Sequence, residues 1–283
     1  MRILVTGAGG QLGSELVDVL RATGHDVAGV THAQCDIAAP GAAGVLLRGA
    51  AADAVVNCAA YTRVDAAESD RDAAYRANAE GPRLLAEACA REEVLLCHVS
   101  TDFVFDGTAT APIDEAATPH PLGVYGASKL AGEEAVRQAG ARYQIVRTAW
   151  LYGRGGPNFA LTMLRLARER GAVRVVADQR GTPTWTGHLA PALVRLLGHG
   201  TPGTYHLTNS GETTWHGFAR AVLEAAGLDT VPVEAITTAE YPTPARRPGY
   251  SVLDNRAWRE LGEAPLPDWG EGVRAYVAGL SAW

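Results

Sequence analysis

Tyr125 and Lys129 stand four residues apart in the run VYGASK, and Lys129 is the only lysine in a chain with 25 Lys plus Arg. If a helix starts near Tyr125, the two share one face one turn apart. An ammonium beside a phenol favours the phenolate and lowers its pKa from about 10, which suits the phenol to proton transfer. A helix-surface pair is the plainer alternative. HVSTDFVFDG supplies two hydroxyls, Ser100 and Thr101, at the end of an expected strand. Thr101 is expected to hold a carbonyl by hydrogen bond while Tyr125 protonates its oxygen. Taken alone, a strand-end threonine more often bonds its own turn.

A second constellation lies at the start of the chain. VTGAGGQLG spaces Gly7, Gly10 and Gly13 three apart, between an expected strand and an expected helix. Such glycines allow a tight turn and bring a pyrophosphate close to the helix N-terminus, where unpaired N–H groups and the dipole favour an anion. An ordinary strand-to-helix turn is the alternative; the context favours a dinucleotide. Lys129 would then also donate to ribose hydroxyls, a task for a compact ammonium rather than a planar guanidinium. The end of the second expected strand reads GVTHAQCD, with Thr31 and His32 where an acid would select NADH. That leans to NADPH. Asp36 is placed to meet the adenine edge.

These groups need a parallel sheet to bring them together. RILVTG, DVAGV, AVVNCAA, VLLCHVS and YQIVRTAW are expected strands separated by helical patterns, the signature of βαβ units. The first helix carries Leu12, Leu16, Val19 and Leu20 on one face and stops at Gly24; RDAAYRANAEGPRLLAEACAREE reads as a long helix interrupted near its Gly-Pro. Residues 1–150 are thus expected to form an α/β, Rossmann-type doubly wound sheet that binds the dinucleotide at its C-terminal edge. From residue 151 the pattern is less regular. NFALTMLRLARERG and TWHGFARAVLEAAG read as helices, GTYHLTNSG as a strand, and a proline-rich YPTPARRPGYSVLD follows, so residues 151–283 are expected to form mainly a smaller lobe for substrate, intertwined with the sheet.

Composition narrows the class. A net charge of -6 without a basic block argues against nucleic acid as partner. No segment approaches the roughly 20 unbroken apolar residues of a membrane span. MRILVTGAGG runs into the first strand without a signal-peptide pattern, and Cys35, Cys58, Cys89 and Cys97 show no CxxC spacing, so a cytoplasmic protein with reduced thiols is expected.

The glycine loop, STDFVFDG, YGASKLAGE, RTAWLYG, NFALTMLRLA, VVADQRGTPT and YPTPARRPGYSVLD together resemble the extended short-chain dehydrogenase/reductases. More narrowly they are similar to the dTDP-4-keto-6-deoxysugar reductases, over nearly the whole chain. The resemblance implies reduction of the 4-keto group of a thymidine-diphosphate hexose with NADPH or NADH. It makes Thr101, Tyr125 and Lys129 the catalytic set. It puts Gly10, Gln11, Leu12, Asp36, Ile37, Ala59, Ala60 and Tyr61 around the dinucleotide, and turns Thr101, Asp102 and Trp150 toward the sugar. Asn158, Arg246 and Arg247 become candidates for the diphosphate and nucleotide, since arginine forks suit phosphate oxygens.

The chain also departs from the pattern. Some relatives dimerise through a magnesium ion held by acidic residues, one of them just after the Pro-Thr of a GxPT segment. Here GTPTWTGHLA has His188 near that position, so no metal is expected, and a monomer and a homodimer are both open. A sugar-nucleotide epimerase or dehydratase with tightly bound NAD would share loop and Tyr/Lys pair, yet the dehydratases carry Asp-Glu where this chain has Asp102 and Phe103. A silent dinucleotide-binding regulator would not need Thr101, Tyr125 and Lys129 intact.

Overall fold

The computed structural model describes residues 1–280; residues 281–283, the tail of the expected lobe, lie outside it. The first half runs β1 (Arg2–Thr6), α1 (Gln11–Ala22), β2 (Asp26–Val30), α2 (Ala42–Ala50), β3 (Ala54–Asn57), α3 (Val64–Ala67), α4 (Arg71–Tyr75), a π-helical turn at Arg76–Glu80, α5 (Gly81–Arg91), β4 (Leu95–Thr101), α6 (Val124–Gln138) and β5 (Tyr143–Thr148). The second half runs β6 (Leu151–Tyr152), α7 (Phe159–Arg170), β7 (Val173–Val176), β8 (Arg180–Gly181), β9 (Thr184–Trp185), α8 (Thr186–His199), β10 (Gly203–His206), β11 (Thr213–Thr214), α9 (Trp215–Ala225), β12 (Val233–Ile236), α10 (Arg256–Glu260) and α11 (Trp269–Leu280).

Six strands form one sheet in the order β10-β5-β4-β3-β1-β2. Every pairing within it is parallel. The central strands are buried on both faces, which is why AVVN and LLCHVS read as nearly unbroken apolar runs rather than as alternations. One face is covered by α1 and α8, whose Leu12, Leu16, Leu20, Leu189, Leu193 and Leu196 pack on Ile3, Val5 and Val56. The other is covered by α2, α5 and α6, with Leu47, Leu85 and Val136 against Leu4, Val55 and Ile145. The strand order reverses between β1 and β3, so the crevice where ligands enter such sheets opens at the C-terminal ends of these two strands.

The interruption expected near the Gly-Pro is a change of helix type. The chain passes from α4 through one π turn into α5, with Pro82 directly after the π turn at the start of α5. The lobe has its own core of α7, α9, α11, β7 and β12, built on Met163, Leu164, Phe218, Val222, Val273 and Tyr276. Residue 150 is nevertheless not a clean division, because α8 and β10 return from the second half to cover and extend the sheet.

Candidate active site

Gly7 ends β1 in a left-handed turn with φ +70. A methyl group at Gly13 would lie 2.2 Å from the Gly7 carbonyl oxygen, and one at Gly7 would lie 2.6 Å from the Ala59 amide nitrogen. The loops after β1 and β3 therefore touch where the strand order reverses. Gly10 is the N-cap of α1 and brings no side chain, which leaves first-turn amides open to an anion. These features fit a dinucleotide's pyrophosphate. Gln11 donates from Nε2 to the Pro157 carbonyl at 3.0 Å, while its buried Oε1 has no partner among the described residues. Leu12 is buried in the core beneath the loop.

At the end of β2, both the amide and the hydroxyl of Thr31 donate to Gln34 Oε1 at 2.9 Å, and the Thr31 methyl sits against Gly9. His32 is exposed. Asp36 accepts from Arg76 Nη2 at 2.5 Å and from the Ala38 amide at 3.0 Å. Ile37 packs on Gly81, where a methyl group would come within 2.9 Å of it. Ala60 is exposed, and Tyr61 is fixed through its backbone, its N–H donating to Asn78 Oδ1 at 2.8 Å and its carbonyl accepting from Asn78 Nδ2 at 3.0 Å.

Tyr125 lies in the first turn of α6 and Lys129 one turn further. Lys129 is only 2% exposed and donates from Nζ to the Val99 carbonyl of β4 at 2.6 Å. Burial pushes its pKa down to about 8, against the opposing pull of the Glu133 carboxylate. The Tyr125 phenol moves opposite to the sequence expectation. Burial pushes it up to about 12, and the Asp102 carboxylate acts in the same direction. The ammonium is turned to Val99, and burial of the phenol sets the direction. The phenol stays protonated at neutral pH, the form that can give a proton.

Thr101 Oγ1 accepts from the Phe103 amide at 3.2 Å and donates to Asp102 Oδ1 at 3.1 Å. A hydroxyl has one proton, so Thr101 does not aim it at a ketone in this arrangement. Asp102 is buried, and burial lifts its pKa to about 6 while Ser251 and Thr101 act to lower it.

Several supporting residues went unnoticed in the sequence. Glu133, fully buried on α6, accepts from Ser100 Oγ at 2.6 Å, Arg147 Nη2 at 2.7 Å and Arg137 Nη2 at 2.9 Å. It thereby ties α6 to β4 and β5. Asn78, on the π turn, also donates from Nδ2 to Ser128 Oγ at 3.0 Å. Methyl groups at Gly126 and Gly132 would each lie 2.1 Å from a carbonyl oxygen, of Phe103 and Asn78 respectively, so α6 lies hard against both neighbours. The nearest available signal was the break near the Gly-Pro.

The remaining candidates diverge. Trp150 has a left-handed φ of +46, rare for a bulky residue. Its ring stacks on Trp215 at 3.6 Å and lies against Gly181, so one face is covered by protein. Asn158 caps α7: Oδ1 accepts from the Leu161 amide at 3.0 Å, and Nδ2 donates to the Gly153 carbonyl and Tyr276 Oη, both at 2.9 Å. Its polar atoms are engaged within the protein, away from the ligand role expected of it. Arg247 pairs bidentately with Asp65, Nη2 to Oδ2 at 2.8 Å and Nη1 to Oδ1 at 3.0 Å. That carboxylate fills the fork expected for phosphate. Arg246 is exposed. His188 Nδ1 faces Asn209 Nδ2 at 2.7 Å, and no cluster of three or more His, Cys, Asp or Glu among the described residues could hold a metal.

Residues 1–282 match the family model described as the RmlD substrate binding domain. A dTDP-4-dehydrorhamnose reductase of Burkholderia thailandensis is 45% identical over 99% of both chains. The chain belongs to the dTDP-4-dehydrorhamnose reductase family. Within that family, a probable dTDP-4,6-dihydroxy-2-methyloxan-3-one 4-ketoreductase of Streptomyces antibioticus is also 45% identical, over 97% of this chain and 94% of the other. A Bacillus anthracis dTDP-4-dehydrorhamnose reductase solved in complex with NADP superposes with a TM-score of 0.95 at 38% identity, covering 98% of this chain and 99% of that one. No helix among the described residues is long and apolar enough to cross a membrane.

Proposed function

We propose that this chain reduces the 4-keto group of a dTDP-4-keto-6-deoxyhexose, with NADPH as reductant and Tyr125 as proton donor. The observation that carries the reading is the meeting of a protonated, half-buried phenol with a buried lysine and a strand-end threonine, beside a glycine loop at the reversal of strand order. Gly7, Gly10 and Gly13 would hold the pyrophosphate, and Lys129 the ribose. Thr31 at the end of β2 brings no carboxylate against a 2'-phosphate. When bound, the nicotinamide supplies the hydride. Tyr125 gives its proton to the sugar oxygen, Lys129 balances the phenolate left behind, and the Trp150 ring forms one wall of the sugar site. Arg246, exposed in the proline-rich segment, is the remaining arginine for phosphate.

The names of the relatives support the substrate class while differing in the sugar. Four cysteines that all stand as thiols suit a cytoplasmic setting, and one copy or two would serve the chemistry. The test supplies NADPH with dTDP-4-keto-6-deoxyglucose, with and without a 3,5-epimerase, and identifies the product by NMR. Consumption of NADPH with formation of a 4-hydroxy sugar is the expected outcome. Tightly bound NAD that survives purification, without net consumption of NADPH, would overturn the reading in favour of an epimerase.

A further inference from the structure

Helix α6 starts without a cap of its own. Its N-cap, Gly123, has no side chain, and the first amide, of Val124, donates instead to Glu68 Oε1 at 2.8 Å. A methyl group at Gly123 would lie 2.5 Å from that oxygen, so glycine is what admits the carboxylate. Glu68 directly follows α3, whose Ala67 is fully buried in a cluster with Val124 and Tyr125. Asp65, three residues earlier, faces the other way. It holds Arg247 through both oxygens and accepts from the Ala245 amide at 3.2 Å. From Arg247 the segment crosses the site: the Tyr250 amide donates to the Gly107 carbonyl at 3.2 Å, the Ser251 amide to the Arg180 carbonyl at 2.8 Å, and the buried Ser251 side chain lies near Asp102, with neither Ser251 Oγ nor Asp102 Oδ2 hydrogen-bonded among the described residues.

We propose that the α3 turn couples the 243–251 segment to the catalytic helix, with Glu68 as a positioning residue for Tyr125 and Asp65 as a positioning residue for the segment. The proposal rests on the reading of Tyr125 as proton donor. Tyr125 occupies the first turn of α6, where amides lack helical partners and fraying begins. A carboxylate there satisfies a donor and opposes the positive end of the helix dipole. Ser128 and Lys129 lie one turn deeper and have anchors of their own, Asn78 for the serine and the Val99 carbonyl for the lysine. Loss of Glu68 therefore loosens the phenol while sparing the lysine. Loss of Asp65 frees Arg247 and the segment that closes the sugar side.

The full-length enzyme tests this with a KM-against-kcat split. Glu68→Ala should lower kcat about tenfold and leave the NADPH dissociation constant within about twofold, and Glu68→Gln, whose amide oxygen still accepts from Val124, should restore most of the loss. Asp65→Ala should raise KM for the sugar nucleotide about tenfold and speed hydrogen exchange at the Val124–Ala127 amides in the enzyme without substrate. If Glu68→Ala does not fold, Glu68→Asp, which shortens the reach, carries the same measurement. Unchanged kcat in Glu68→Ala (or in Glu68→Asp, where that stands in for it), or unchanged exchange in Asp65→Ala, overturns the coupling. A fully active Tyr125→Phe variant would instead sink the proton-donor reading while leaving the exchange result standing, so the two failures are distinguishable.

Discussion

The Thr101 hydroxyl donates its only proton to the Asp102 carboxylate across 3.1 Å. That bond is favourable while Asp102 is ionised, yet burial holds this carboxyl up at about 6. The native state therefore binds a proton that the unfolded chain, with an ordinary aspartate near 3.8, releases earlier. A raised carboxyl contributes stability below its unfolded pKa and loses it as pH rises toward the folded value. Asp102→Asn should remove that slope and be more stable than the parent at pH 7 by on the order of 1–3 kcal/mol. Urea unfolding of both proteins at pH 4.5 and 7 reads it; parallel curves at the two pH values would show that Asp102 carries no such penalty.

Tyr125→Phe should cut turnover at least about a hundredfold, the scale of a positioned acid, with dinucleotide binding nearly unchanged. Stopped-flow reduction and fluorescence titration with NADPH separate the two quantities. Near-normal turnover would remove Tyr125 from the mechanism.

Lys129 loses its charge as pH rises through about 8. The affinity for NADPH is therefore expected to hold up to that pH and to weaken above it. Lys129→Arg keeps a charge that does not titrate but places a larger planar head against Val99, so affinity should fall at every pH and the alkaline limb should vanish. A fully active arginine variant would mean that the compact ammonium has no special task.

At the glycine loop, Gly13→Ala would put a methyl group 2.2 Å from the Gly7 carbonyl. The backbone cannot yield there without opening the turn. Affinity for NADPH should drop at least about tenfold, since the loop's approach to the pyrophosphate depends on close packing of helix and strand. Calorimetric titration of the variant with NADPH decides it; unchanged affinity would exclude the loop from the cofactor site.

Asn158→Ala removes a helix cap and the bond to Tyr276 together. Stability should fall by about 1–2 kcal/mol, with KM for the sugar nucleotide unaltered. A large rise in KM at unchanged stability would restore Asn158 to the ligand set.

What the sequence disclosed were features with short, fixed spacing. The Gly7-Gly10-Gly13 turn, the Tyr125/Lys129 pair and the strand-end Thr101 each take their meaning from neighbours within a few residues, and the parallel sheet delivers all of them to one edge. Glu68, Asn78 and Asp65 stayed hidden because their partners lie far along the chain: Val124 for Glu68, Ser128 for Asn78 and Arg247 for Asp65. No local pattern distinguishes a carboxylate that caps a distant helix from one that is merely solvated. The Arg247 pairing with Asp65 was hidden for the same reason, since an arginine fork suited to phosphate suits an aspartate equally well. The phenol was misread because the sense of a pKa shift depends on burial and on where the ammonium points, and spacing reports neither. An intertwined lobe was expected, but that α8 and β10 are the elements that return to the sheet is something only tertiary pairing reveals.

That return has a consequence for engineering by recombination. Tyr143–Thr148 is an interior strand only because Gly203–His206 hydrogen-bonds along its outer side. A gene cut after residue 150 would leave an apolar ribbon with unsatisfied amides, an invitation to precipitate or to pair with a stranger. Chimeras that trade sugar specificity between relatives must therefore keep residues 186–206 with the nucleotide-binding half, together with the stretch around Trp258 and Leu266 that packs into the same core.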